Sequence, residues 1–175
     1  MNITKRNHNL ATGAIIAALY AALTYAQEVL LPGSASAAVQ FRVSESLTVL
    51  ALFTPAAIPG ITVGCALSNL IFMGALPLDV ILGSLASFLA AVCMYRLKDL
   101  TFKGIPVSAL LMPAVFNGII IGLEIEIFFI EGPFNFVSFL TQGGFVALGE
   151  LGVCFTLGLL LYKVIKNKKL QKYLN

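Results

Sequence analysis

Seven of the eight acidic side chains, Glu28, Glu45, Asp79, Glu124, Glu126, Glu131 and Glu150, interrupt or border long apolar runs, and Asp99 alone sits in a basic stretch. The amides Asn69, Asn117 and Gln142 and the guanidinium of Arg42 stand in the same apolar surroundings. Carboxylates accept N–H donors and hold cations, amides both donate and accept, and together they suit recognition of a small polar ligand. Bond-breaking chemistry has little to draw on. His8 is the only histidine and lies in the basic N-terminal tail, so a His/Cys metal site and a Ser-His or Cys-His pair are both out of reach. No G-x-x-x-x-G-K-[ST] stretch occurs, which excludes ATP hydrolysis by a P-loop.

Helical spacing says where these groups point. Asn117, Glu124 and Glu131 recur every seven residues and share one stripe of a helix, whereas Glu126 lies about 200° from Glu124 and faces elsewhere. Gln142 and Glu150 are eight apart, about 80° out of phase, close enough to share a broad inward face with Val146 between them and Phe145 at its edge.

The elements that position them follow from composition. The chain has 175 residues, of which 59% are hydrophobic and only 11% charged, with a mean hydropathy of +0.95. A water-soluble domain carries about 25% charged residues, so most of this surface faces lipid. A hydrocarbon core about 30 Å thick asks for about 20 apolar residues per helix. The uncharged runs then give six spans in a single integral membrane domain, at about 10–31, 43–53, 58–76, 78–95, 105–130 and 134–165. The second is too short for full thickness; Ser44 is its expected N-cap, and it stops at Thr54-Pro55 with Pro59-Gly60 beyond. The fold class is therefore an all-α six-helix membrane bundle; strands are excluded because transmembrane strands alternate polar and apolar residues. Cys65, Cys93 and Cys154 lie in apolar runs and read as small buried hydrophobes.

Basic residues fix the orientation, because Lys and Arg stay on the cytoplasmic side. With both termini inside, Lys5, Arg6, Arg96, Lys98, Lys103, Lys163, Lys166, Lys168, Lys169 and Lys172 are cytoplasmic, leaving Arg42 of the eleven outside. A cleaved signal is the competing reading, since small residues follow at Ser34 to Ala38, but the apolar run is too long for an h-region and its removal spoils the charge balance. The net charge of +3 asks for no nucleic acid. In this orientation Glu124, Gln142 and Asn69 lie in the outer half, and Asn117 and Glu150 nearer the middle. They outline a pocket opening outward, with the segment from Val39 to Glu45, including Phe41, Arg42 and Glu45, as its lid or wall. Three alternatives stay open: the amides bond one another across helices at about 0.6 kcal/mol per pair, Arg42 pairs with Glu45 in the loop, and Asp79 caps the fourth span.

Ala14, Ala18 and Ala22 recur every four residues on the first span, with Ala17 and Ala21 beside them. Small residues at this spacing let helix backbones approach closely in lipid, either within the bundle or against a separate membrane protein.

The stretch Val39-Gln-Phe-Arg-Val-Ser-Glu-Ser-Leu-Thr-Val-Leu, then Thr54-Pro-Ala-Ala-Ile-Pro-Gly-Ile with Gly64-Cys and Ser68-Asn-Leu, then Pro77-Leu-Asp-Val-Ile-Leu-Gly-Ser-Leu-Ala resembles the queuosine-precursor (QueT) family. These are substrate-binding S components of energy-coupling factor (ECF) transporters. The likeness runs from the first span to the sixth, is most specific from Gln40 to Ala86, and is looser in the last two spans. It implies a non-enzymatic plasma-membrane protein that captures its ligand from outside, docks on a T component served by two ATPase subunits, and releases the ligand inward by toppling. The chain would bind no cofactor; its partners hydrolyse the ATP. Docking would use the Ala14, Ala18 and Ala22 face.

The implied ligand is a deazapurine, 7-aminomethyl-7-deazaguanine or queuine. A guanine-like edge offers two adjacent N–H donors, which a carboxylate such as Glu150 or Glu124 accepts in bidentate fashion. Asn117 or Gln142 would bond the carbonyl and ring nitrogens, Phe41 would stack on the ring, and a second carboxylate would hold the aminomethyl cation. Rival readings are an S component for another vitamin, a proton-coupled carrier relaying through Glu124, Glu126 and Glu150, and a carboxylate-only membrane enzyme.

Overall fold

The computed structural model describes residues 3–34, 41–72, 77–167, 170 and 174. The start of the expected lid, Val39 and Gln40, lies outside these residues, as do Lys168, Lys169 and Lys172 of the cytoplasmic set. The described chain is helical and forms six elements in order: α1 (Ile3–Leu30), α2 (Val43–Leu52), α3 (Ala57–Phe72), α4 (Pro77–Arg96), α5 (Val107–Phe129) and α6 (Phe136–Asn167). Four of them, α1, α4, α5 and α6, are long and apolar enough to cross a membrane, while α2 and α3 are shorter apolar helices. The six-helix membrane bundle expected from composition is the fold observed.

Boundaries differ in places. The first helix starts at Ile3 rather than Leu10, because Thr4 to Asn9 continue the helix beyond the apolar run. The third is described as far as Phe72, and the rest of the expected span, residues 73–76, lies outside the described residues. Ser44 does not cap α2: the N-cap position is Arg42, with no side-chain cap bond, and the Ser44 hydroxyl accepts from Thr24 Oγ1 at 2.9 Å instead.

α2 is the shortest of the six elements and the most enclosed. It is a 3-10 helix of 10 residues, all of them buried from Ser44 to Leu52, where runs longer than 3–4 residues are uncommon. At about 2.0 Å rise it reaches about 20 Å, so it falls short of full thickness, as its length predicted. Residues three apart eclipse one another in this geometry, which places Glu45, Thr48 and Ala51 in one row. Within it, Thr48 Oγ1 donates to the Glu45 carbonyl at 2.6 Å.

α1 packs on α3, α3 on α4, α4 on α5 and α5 on α6, and α2 is enclosed by α1, α3, α4 and α6. Two of these pairs meet backbone to backbone. A Cβ on Gly60 would lie 2.6 Å from the Gly13 carbonyl oxygen, and one on Gly64 only 2.7 Å from Tyr20 Cβ, so α3 approaches α1 through glycine. A Cβ on Gly143 would lie 2.4 Å from the Gly118 carbonyl oxygen, and one on Gly122 2.7 Å from Gly143 Cα. Without a hydrophobic effect between helices in lipid, such close van der Waals contact is what holds them.

Both α5 and α6 contain one π turn, Ile125–Phe129 and Cys154–Gly158. At one end of the bundle Tyr162 Oη and Lys166 Nζ of α6 donate to the Gly104 carbonyl of the α4–α5 loop, at 3.3 and 3.4 Å. The C-terminal helix and the basic loop therefore meet at the end that the charge pattern marks as cytoplasmic.

Candidate functional site

The core between α1, α2, α3, α4 and α6 is polar where these elements converge. Glu45, on the buried row of α2, is 0% exposed. Its Oε1 accepts from Tyr20 Oη of α1 at 2.5 Å and from Ser87 Oγ of α4 at 2.9 Å. Its Oε2 is buried with no hydrogen-bond partner among the described residues, as are Glu150 Oε2 and Glu124 Oε1. Glu150 of α6 lies within Coulombic reach of both Glu45 and Arg42, and buried Cys154 stands one turn on. A buried acceptor with an unused lone pair is costly, and three carboxylates in one bundle can each accept N–H donors from a ligand.

Arg42 is the positive member of this cluster. The sequence places it in an external loop with Glu45; in the structure it is buried and turned toward α3. Nη2 donates to Asn69 Oδ1 at 3.4 Å, and Nη1 lies 3.9 Å from Cys65 Sγ. Glu45 lies within Coulombic reach of Arg42, while Tyr20 and Ser87 donate to one of its oxygens. Asn69 is 2% exposed and donates from Nδ2 to the Asp79 carbonyl at 3.0 Å. Gly83 makes room for it, since a Cβ there would lie 2.7 Å from Asn69 Nδ2. Asp79 is in the first turn of α4, and its carboxyl comes within hydrogen-bonding reach of Glu124 on α5. Arg42 lies within Coulombic reach of that pair.

The remaining expected residues are distributed more widely. Phe41 is half exposed, and its ring abuts Gly152 of α6, with Cε1 3.3 Å from where a Cβ would stand. Asn117 is buried but donates to the Pro113 carbonyl of its own helix at 3.1 Å, and half-buried Gln142 makes no side-chain hydrogen bond with a described residue. Val146 is buried beside Glu150 on the inner face of α6, as expected. Glu131 departs from the helical-wheel reading, whereas Glu126 takes a different partner from Glu124, in line with that reading. Glu126 is buried, and its Oε1 accepts from the Asn135 amide at 2.8 Å. Glu131 is exposed beyond the helix. The π turn that begins at Ile125 widens the helix, so the 3.6-residue phase no longer applies there.

Sequence reasoning missed Tyr20, Ser87 and the Thr24–Gln27 side of α1. Gln27 Nε2 donates to the Phe41 carbonyl, and its Oε1 accepts from the Val43 amide at 2.8 Å, anchoring the start of α2. A signal existed: Tyr20, Thr24 and Gln27 are four and three apart, a polar stripe on an apolar helix. Ala14, Ala18 and Ala22 stand on the opposite side and are exposed, whereas Ala17 is buried against α3. Of the two readings of this alanine face, packing within the bundle is therefore not the one observed. Among the described residues no group of three His, Cys, Asp or Glu side chains is placed to hold a metal.

The sequence model of the QueT transporter family matches residues 10–167, nearly the whole described chain. The chain belongs to the QueT transporter family. A curated relative, the queuosine precursor transporter QueT of Lactococcus lactis subsp. cremoris (strain MG1363), is 33% identical over 178 residues, covering 95% of this chain and 98% of the relative. No solved structure matches this chain. As a QueT-family protein with several apolar spans, it is a multi-pass plasma-membrane transporter. The buried acids are thus the polar interior of a transport protein, in keeping with the non-enzymatic reading.

Proposed function

We propose that this chain is the substrate-capture subunit of an ATP-driven ECF importer for a queuosine precursor, 7-aminomethyl-7-deazaguanine or queuine. The observation that carries this reading is that, of the five buried carboxylate oxygens that no described residue satisfies, on Glu28, Glu45, Glu124, Glu126 and Glu150, those of Glu45, Glu124 and Glu150 belong to acids within Coulombic reach of Arg42. Glu45 is pre-oriented, because Tyr20 and Ser87 occupy one oxygen and leave the other to accept a donor. The two adjacent N–H groups of a guanine-like edge meet Glu45 and Glu150, and Arg42 or Asn69 donates to the ring carbonyl. The Glu124–Asp79 carboxyl pair holds the aminomethyl cation, and Phe41 closes over the ring. Glu150, Glu124, Phe41, Arg42, Glu45, Asn69 and Asp79 thereby line or border the site, with Asn117 and Gln142 at its margin.

The transport step rests on partners. The chain carries no ATPase motif, so a T component and two ATPase subunits supply the energy, the T component docking on the exposed Ala14, Ala18 and Ala22 face. The bound subunit topples and opens its pocket inward. The family name of the Lactococcus relative supports the ligand class.

The test is calorimetric titration of the detergent-purified full chain with 7-aminomethyl-7-deazaguanine, with queuine and guanine as comparators. Tight binding without partners is expected, guanine being weaker for lack of the cation. A folded chain that binds none of the three overturns the ligand assignment. ATP-independent uptake by the chain alone in proteoliposomes overturns the S-component role in favour of an ion-coupled carrier.

A further inference from the structure

Two grooves on the outside of the bundle join at one residue. The first, about 410 Å³, runs between α5 and α6 and is lined by apolar side chains and glycines, from Leu111 past Gly143, Gly144 and Ala147 to Leu140. It exists because these small residues leave the inter-helix surface concave. The second, about 400 Å³, lies at the cytoplasmic rim between Leu100, Thr101, Phe102, Val107, Ser108 and the same Leu111. Together they form a trough that begins at the membrane surface and descends along α5 from Leu111 to Ile119, about 12 Å at 1.5 Å per residue.

The mouth of the trough is basic. Lys103, held at φ 50° in the α4–α5 loop, places its ammonium 5.7 Å from the Phe102 ring centroid, over the groove wall. Lys166 reaches the same loop through Gly104, and Lys98 stacks on Tyr95 nearby at 4.2 Å. Thr101 adds a hydroxyl among the lining residues. A cationic mouth at headgroup depth, leading into an apolar trough about as long as one leaflet's half of the roughly 30 Å core, matches one molecule.

We propose that an anionic phospholipid of the cytoplasmic leaflet docks here, with its phosphate at Lys103 and Thr101 and one acyl chain in the α5–α6 groove. The bilayer supplies such lipids, and anionic headgroups are drawn to basic residues at the surface by about 1 kcal/mol per Lys or Arg. This site is distinct from the acid cluster and does not rest on the proposed ligand.

Native mass spectrometry of the detergent-purified full chain tests it, using phosphatidylglycerol and phosphatidylcholine with identical acyl chains. One phosphatidylglycerol is retained in preference to phosphatidylcholine. Lys103→Asn removes the charge with a residue that tolerates positive φ and lowers that preference about fivefold. Gly144→Phe fills the groove at a position where a Cβ meets nothing within 4 Å, and lowers retention of phosphatidylglycerol at least about tenfold through lost acyl burial. Equal retention of the two lipids by the parent chain overturns the proposal, as it would if the trough seats a partner helix. Retention unchanged in both variants also overturns it, and Lys103→Asn, on an exposed loop, keeps the test independent of groove packing.

Discussion

Each acid of the central cluster has a different arrangement of partners, so substitutions at them separate orientation from recognition. Glu45→Gln keeps an oxygen for Tyr20 and Ser87 but replaces the unpartnered Oε2. Calorimetry is expected to show binding of 7-aminomethyl-7-deazaguanine weakened by at least about 2 kcal/mol, the range for removing the charge from a buried hydrogen-bonded pair. Glu150→Gln carries the same expectation, and unchanged affinity removes that residue from the site. Gly83→Ala acts at one remove: its methyl group displaces the Asn69 amide, the far end of a flexible side chain, so the fold survives and affinity falls by about 1 kcal/mol, one hydrogen bond's worth. Wild-type affinity in Gly83→Ala would show that Asn69 takes no part. The acids were legible in the sequence because a charge in lipid is expensive enough to stand out. Ser87 was not, since a serine hydroxyl in an apolar helix can bond its own backbone at little cost and signals nothing, and Tyr20 showed only as part of the polar stripe with Thr24 and Gln27.

At the level of helices, two glycines adjacent in sequence make opposite predictions. Gly143→Ala drives a methyl group into the Gly118 carbonyl, where only backbone can yield, and overpacking of this kind costs about 1–3 kcal/mol. Gly144→Ala meets open space and gains helix propensity, up to about 1 kcal/mol. Thermal unfolding in detergent should lower the midpoint for the first and hold or raise it for the second; equal midpoints would sink the close-crossing account of α5 and α6. Helix number and approximate ends were readable from run length against bilayer thickness. The place of Glu131 was not, because wheel arithmetic assumes an unbroken α-helix and the turn at Ile125–Phe129 is π. The 3-10 character of α2 was equally hidden: its shortness showed in the sequence, but its hydrogen-bond spacing depends on the helices enclosing it.

For the whole molecule, the proposed docking assigns the two sides of α1 different tasks. Ala18→Trp alters only the exposed side, so the isolated chain is expected to keep its ligand affinity while ATP-dependent uptake by the assembled transporter is lost. Ala17→Trp, against Gly64, is expected to lower the unfolding temperature instead. Uptake that persists in Ala18→Trp would move the docking surface elsewhere. The alanine spacing was legible from the residues alone but not which row faced inward, because Ala17 and Ala18 differ only in their angle about the axis. The same contrast has a consequence for how such a bundle diversifies. Where backbones touch, as at Gly60 against Gly13 or Gly143 against Gly118, a larger residue must push backbone aside and costs stability. The polar interior is held by side chains from α2 and α4 that meet side chains, so exchange there alters the shape and charge of the cavity without disturbing those crossings. A search for altered ligand preference is therefore best confined to the inward rows of α2 and α4, leaving the glycine crossings untouched.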